Sequence, residues 1–150
     1  MTKRILLGVI GVVLGIVAGM IVMTVLHIAS ALVYPPPEGV DFMSREPEDQ
    51  DRLNEWFGTL PAGAFVLAVA SHGLGCMAGA IVAMLVCGRR SLVPALVVGV
   101  FFTAAGIMNL ASIPHPTWFP FADLPVYLVL ALAAGLLLKR KGDVGAAAGG

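Results

Sequence analysis

Polar residues are confined to short intervals that separate four long apolar runs, Ile5–Val33, Leu60–Cys87, Leu92–Ile113 and Phe121–Leu138. Each can cross a bilayer, because about 20 residues rising about 1.5 Å apiece cover a hydrocarbon core of about 30 Å. None alternates as a strand would, and backbone polar groups in lipid must be satisfied within the segment, so each run is predicted to be a helix. The fold class that follows is all-α: a transmembrane up-down four-helix bundle forming one domain over residues 1–141. The low-complexity stretch 142–150 (GDVGAAAGG) is expected to be a disordered cytoplasmic tail.

A weaker, amphipathic pattern lies between the first two runs. Pro35-Pro36-Pro37 cannot continue a helix, but Glu46–Phe57 then sets Leu53, Trp56 and Phe57 at helical spacing, with Glu48, Asp49, Gln50 and Asp51 on other faces. Pro47 suits a helix start and Gly58 a stop, which predicts a short helix lying on the outer bilayer surface. The Glu48-Asp49-Asp51 cluster lacks the glycine and spaced ligands of a calcium loop and reads as a solvated face.

Composition agrees with the pattern. Of 150 residues, 59% are hydrophobic and 12% charged, and the mean hydropathy is +0.95. A water-soluble enzyme, a nucleic-acid-binding domain and a disordered chain are thereby excluded. The nine basic and nine acidic residues cancel in sum but not in place. Lys3, Arg4, Arg89, Arg90, Lys139, Arg140 and Lys141 all fall on one side of an alternating bundle. The Tyr34–Gly58 loop on the other side carries Glu38, Asp41, Glu46, Glu48, Asp49, Asp51 and Glu55 against Arg45 and Arg52. Basic residues collect in cytoplasmic segments, so both termini are expected to be cytoplasmic. Tyr34, Trp56, Trp118 and Tyr127, with Phe57, Phe119 and Phe121, are expected to form an aromatic belt at the outer interface. Lys3-Arg4 and Ala29-Ser30-Ala31 imitate a signal peptide, but the first apolar run is about twice the usual length, and it is read as a retained span.

Association in lipid depends on small residues. Gly11, Gly15 and Gly19, preceded by Gly8, mark one face of the first span, and Ser71, Gly75, Gly79 and Ala83 mark one face of the second. These two faces are expected to pack together. Gly99, Thr103 and Gly106, then Ala131, Ala134 and Gly135, offer similar surfaces on the last two spans.

Polar residues within spans are the candidates for chemistry. Counted from Leu60, His72 lies about 18 Å down, near the midplane and on the glycine face, at the level reached by Thr103. A buried His72–Thr103 hydrogen bond is expected there, with a proton relay or ligand role as the alternative. A second group, His27, Asn109, His115, Asp123 and Tyr127, with Ser30 and Ser112, belongs near the outer interface. Pro114 and Pro116 hold His115 between them, and Asp123 and Tyr127 share a helix face from which they could bond His115 or His27. Either these residues form an outer polar pocket, or Asp123 merely caps its helix and the prolines make a turn. No metal or cofactor is expected: His27, His115 and Asp123 lack a recognised ligand spacing, and His27 and His72 are assigned different depths, which argues against joint haem ligation. Cys76 and Cys87, about 16 Å apart along one helix, cannot form a disulfide.

Pro35-Pro36-Pro37, Leu60-Pro61-Ala62-Gly63-Ala64-Phe65 and the Asn109…Pro114-His115-Pro116-Thr117-Trp118-Phe119…Asp123-Leu124 stretch resemble those of small uncharacterised four-span proteins of bacterial inner membranes. The likeness covers most of residues 30–130 and implies a bacterial inner-membrane location without a particular activity. The leading functional expectation is a non-enzymatic protein acting through its outer face, by packing or by binding lipid or a membrane-protein partner, or as a homo-oligomer. The alternative is a small-solute or ion transporter with His72 as a midplane gate and an outer polar vestibule. A lipid-acting enzyme using His115 and Asp123 ranks third, since no nucleophile accompanies them.

Overall fold

A computed structural model describes residues 2–40, 44, 46–88 and 91–139. They form five helices: α1 (Thr2–Val33), α2 (Pro47–Thr59), α3 (Ala62–Val86), α4 (Val93–Ser112) and α5 (Phe119–Leu138). All but α2 are long and apolar enough to cross a membrane. Proline marks the starts, with Pro61 capping α3 and Pro94 and Pro120 in the first turns of α4 and α5, where a missing N–H has no helical partner to lose. Gly88, at φ 80°, closes the end of α3 in the left-handed conformation that turns the chain toward α4.

Packing defines the directions. Gly15 of α1 meets Gly79 and Ala83 of α3 while Gly19 meets Gly75, so these helices are antiparallel. His72 pairs with Asp123 and Cys76 with Tyr127, so α3 and α5 are parallel. Gly99 meets Ala131 and Gly106 meets Tyr127, so α4 and α5 are antiparallel. The result is the expected up-down bundle, with α3 touching α1, α4 and α5. One end carries α2 and the Ile113–Trp118 connection and is called the loop end; the start of α1, the α3–α4 turn and the end of α5 lie at the other.

The α1–α3 seam is built on absent side chains. A Cβ added to Gly15 would stand 2.5 Å from the Gly79 carbonyl oxygen and 2.9 Å from the Ala83 Cβ, and one added to Gly79 would stand 2.6 Å from the Gly15 oxygen. The two backbones therefore touch directly, as small-residue packing in lipid requires. Gly11, against Ala83 and Val86, extends the seam, whereas a Cβ added to Gly8 would meet nothing within 4 Å. Ser71 is buried, but its hydroxyl bonds the Leu67 carbonyl of its own helix at 2.8 Å. Beyond the seam, Cys76, Met84 and Val98 are fully buried, while Leu32 and Leu137 on the outside are each 83% exposed, the inverted surface of a lipid-solvated bundle.

Two expectations change in detail. Helix α2 runs through Gly58 to Thr59, because Leu60 and Pro61, both extended, supply the stop. Its apolar edge is packed against protein, with Leu53 buried and Trp56 and Phe57 half-buried. The 142–150 tail and the charges Asp41, Arg45, Arg89, Arg90, Arg140 and Lys141 lie outside the described residues.

Replacing Gly79 with leucine is expected to lower bundle stability by about 1–3 kcal/mol or more, because neither backbone can give way. Gly8→Ala is expected to stay within about 0.5 kcal/mol of the parent. Reversible unfolding in mixed micelles checks both.

Candidate functional site

Helix register brings together residues that the sequence assigns to different depths. The His72–Asp123 and Cys76–Tyr127 pairs share one offset of 51 residues between α3 and α5. Extending that offset sets Phe119, where α5 begins, level with Ala68, which is about 9 Å below the start of α3. The Ile113–Trp118 connection thus delivers α5 to the bundle part-way down. Asp123 consequently reaches the level of His72 and has no exposed surface. Helix α5 is capped at Trp118, so Asp123 is interior to it and does not cap it.

The central interaction joins these two residues. His72 Nδ1 lies 2.6 Å from Asp123 Oδ1, and the Tyr127 hydroxyl donates to Asp123 Oδ2 at 3.2 Å. A carboxylate only accepts, so His72 carries its ring proton on Nδ1 toward Asp123. Tyr127, 3% exposed, stacks on His72 with ring centroids 5.6 Å apart, placing it in the core and not in an interfacial belt. The expected His72–Thr103 bond is absent. The Thr103 hydroxyl donates to Gly99 O of its own helix at 2.8 Å, the common resting state of a helical threonine.

His27 joins the same level from α1. Its ring centroid lies 5.2 Å from that of His72, which overturns the depth separation assigned to the two histidines. The physical reason is directional: helical side chains lean toward their own N-terminus, and because α1 and α3 are antiparallel, His27 and His72 lean toward each other. His27 Nδ1 donates to the Met23 carbonyl oxygen at 2.8 Å. Both Nδ1 atoms are thus occupied as donors, and neither Nε2 has a hydrogen-bond partner among the described residues.

These rings stand in a cavity of about 770 Å³ between the loop-end halves of α1 and α4. Helix α3 forms its back wall through Ala64, Phe65, Ala68 and His72, and Trp56, Phe57 and Pro36 lie at its loop end. Phe102 closes it toward the opposite end, seated on the backbone of Gly19. Such a volume falls within the roughly 300–1,000 Å³ of small-molecule sites. The lining is mostly apolar, with Met20, Met23, Phe101, Ala105 and Leu110 among the walls.

Of the five residues assigned to an outer pocket, His27, Asn109, His115 and Tyr127 line this cavity, and Asp123 sits behind it. Asp123 bonds neither His115 nor His27. His115 is held by its own connection, with Nε2 3.2 Å from Leu110 O and its ring stacked on Phe119. His72 and the outer group therefore share one cavity with two levels, Asn109 and His115 toward the loop end and His27 and His72 at the floor, whereas Thr103 is not among the lining residues. The described residues contain no cluster of three or more His, Cys, Asp or Glu able to hold a metal ion. Cys76 and Cys87 are both free, and the Cys76 thiol donates to Tyr127 O at 3.2 Å.

Asp123→Ala is expected to destabilise the protein by about 3–5 kcal/mol, since it strands His72 and Tyr127 without their acceptor. Thr103→Val is expected to cost less than about 1 kcal/mol. A His72/Asp123 double-mutant cycle should show strong coupling in unfolding measurements, and a His72/Thr103 cycle should show none. No family model, curated protein or solved structure matches this chain, so its function is read from the geometry of the cleft.

Proposed function

We propose that this multi-pass protein resides in a bacterial inner membrane with its loop end outward, and that it binds a small apolar molecule drawn from the bilayer. The single observation that carries the reading is the cleft of about 770 Å³, apolar along its walls and floored by His27 and His72. A cleft walled by Met20, Met23, Phe101 and Ala105 suits an alkyl or ring system, and a hydrogen-bonding floor suits one polar group at its leading end. Binding is favoured over passage. Beneath His72, Cys76, Ala80, Ala83 and Met84 have no exposed surface, and the Gly15–Gly79 backbone contact occupies the same level. The role is therefore read as non-enzymatic: sequestration or presentation of a membrane-dissolved molecule at the outer leaflet.

Photolabelling in lipid nanodiscs tests this. An alkyl diazirine is expected to mark Met20, Met23 and Phe101 more strongly than the lipid-facing Leu136 and Leu137. Ala105→Trp, which fills the cleft, should reduce the cleft labelling to that background. Uniform labelling over the apolar surface, or labelling indifferent to Ala105→Trp, would contradict the reading.

A further inference from the structure

Polar atoms at the floor of the cleft select the chemistry of what enters. His72 is 8% exposed and lines the cavity, and its Nδ1 is committed to Asp123, so the edge left toward the cleft is Nε2. His27 Nδ1 is committed to a carbonyl oxygen, which can only accept, so the same edge is left on His27. In a neutral imidazole whose Nδ1 carries the proton, Nε2 is a lone pair. With both rings neutral, two acceptors face one cavity from rings 5.2 Å apart, with a carboxylate behind one of them. Asp123 already receives His72 and Tyr127, and no Lys or Arg pairs with it among the described residues.

Resting on the cleft reading above, we infer that the floor of the cleft recognises a hydrogen-bond-donating head, a hydroxyl or a primary ammonium, carried on an apolar body. A hydroxyl donates to one Nε2 and leaves the rest of the cavity to its tail. A primary ammonium has donors for both Nε2 atoms and brings a positive charge toward Asp123. An ether or ester of the same shape has no donor and leaves both imidazole acceptors dry, which costs the desolvation of each. Two features of the site support a donor over a metal ion: the described residues offer only these two imidazoles at the floor, and the surrounding walls are apolar. Asn109 and His115, higher in the cleft, lie where the far end of a short ligand or its tail would pass.

The test is competition against the diazirine label in nanodiscs, using dodecanol, dodecylamine and dodecyl methyl ether as probes. At least one donor probe is expected to compete at about tenfold lower concentration than the ether, the fold-change carried by one buried hydrogen bond. If dodecylamine leads, the head is an ammonium and Asp123 contributes its charge; if dodecanol leads, the head is a hydroxyl. In the His72→Phe and His27→Phe variants the donor probes are expected to lose their advantage over the ether, whatever the absolute affinity of each probe becomes. His27 is exposed to the cleft, so His27→Phe remains informative even if His72→Phe does not fold. Equal competition by ether and donor probes, or discrimination that survives in His27→Phe and in any folded His72→Phe protein, overturns the inference while leaving the cleft intact. A cleft that takes no label at all contradicts the underlying binding proposal and this inference with it.

Discussion

Asp123 has no exposed surface, and a carboxylate between apolar helices persists only when its oxygens are bonded to donors. An ionisable side chain at the centre of a spanning helix costs about 2.5–3.5 kcal/mol on insertion scales. His72 and Tyr127 answer that cost together, one from the neighbouring helix and one from the next turn of the same helix. Because the acceptor sits on α5 and the principal donor on α3, the pair also specifies how far α5 is driven into the bundle. A slip of one helical turn, about 5.4 Å, would strand both groups. The depth of the cleft floor, the orientation of the His72 ring and the position of Tyr127 against Gly106 all depend on this one contact.

The rest of the bundle divides between close approach and separation. Along α1, α3 and the inner half of α4, glycine and alanine allow helices to meet at backbone distance, and the core there is composed of Ala80, Ala83, Ala95 and Val98 with no exposed surface. Beyond the contact of Phe102 with Gly19, toward the loop end, an open space lined by Met23, His27, Phe101 and Ala105 separates α1 from α4. The cleft thus opens above Phe102, and a second opening, of about 360 Å³ and lined by Ile5, Val9, Val93 and Val97 among others, separates the same two helices toward the other end. The polar floor of the cleft lies where the two regimes meet.

Much of the architecture could be read directly from the chain. Span number, up-down order, the α1–α3 glycine seam and the short helix before Leu60 follow from periodicity and from proline and glycine positions. The set His27, Asn109, His115, Tyr127 and His72 was also visible as polar residues in or beside apolar runs. What stayed hidden was their relative depth. Counting each span from its own first residue assumes that all spans begin at one level, and α5 does not, because the Ile113–Trp118 connection descends before the helix starts. The assumption separated Asp123 from His72 and paired His72 with Thr103. It likewise parted His27 from His72, whose opposed side-chain leans close the gap between their positions on antiparallel helices. Intervals within one helix were informative, and offsets between helices were not.

The pairing of His72 with Asp123 is most directly tested by carbon–nitrogen dipolar recoupling in the solid state, on protein in lipid with labelled aspartate and histidine. The structure, with Nδ1 and Oδ1 2.6 Å apart, predicts a strong coupling between the Asp123 carboxyl carbon and His72 Nδ1 that vanishes in His72→Phe and is unaffected in His115→Phe. A coupling that instead vanishes with His115→Phe, or no aspartate–histidine coupling at all, would contradict the register, the floor of the cleft and the function built on it.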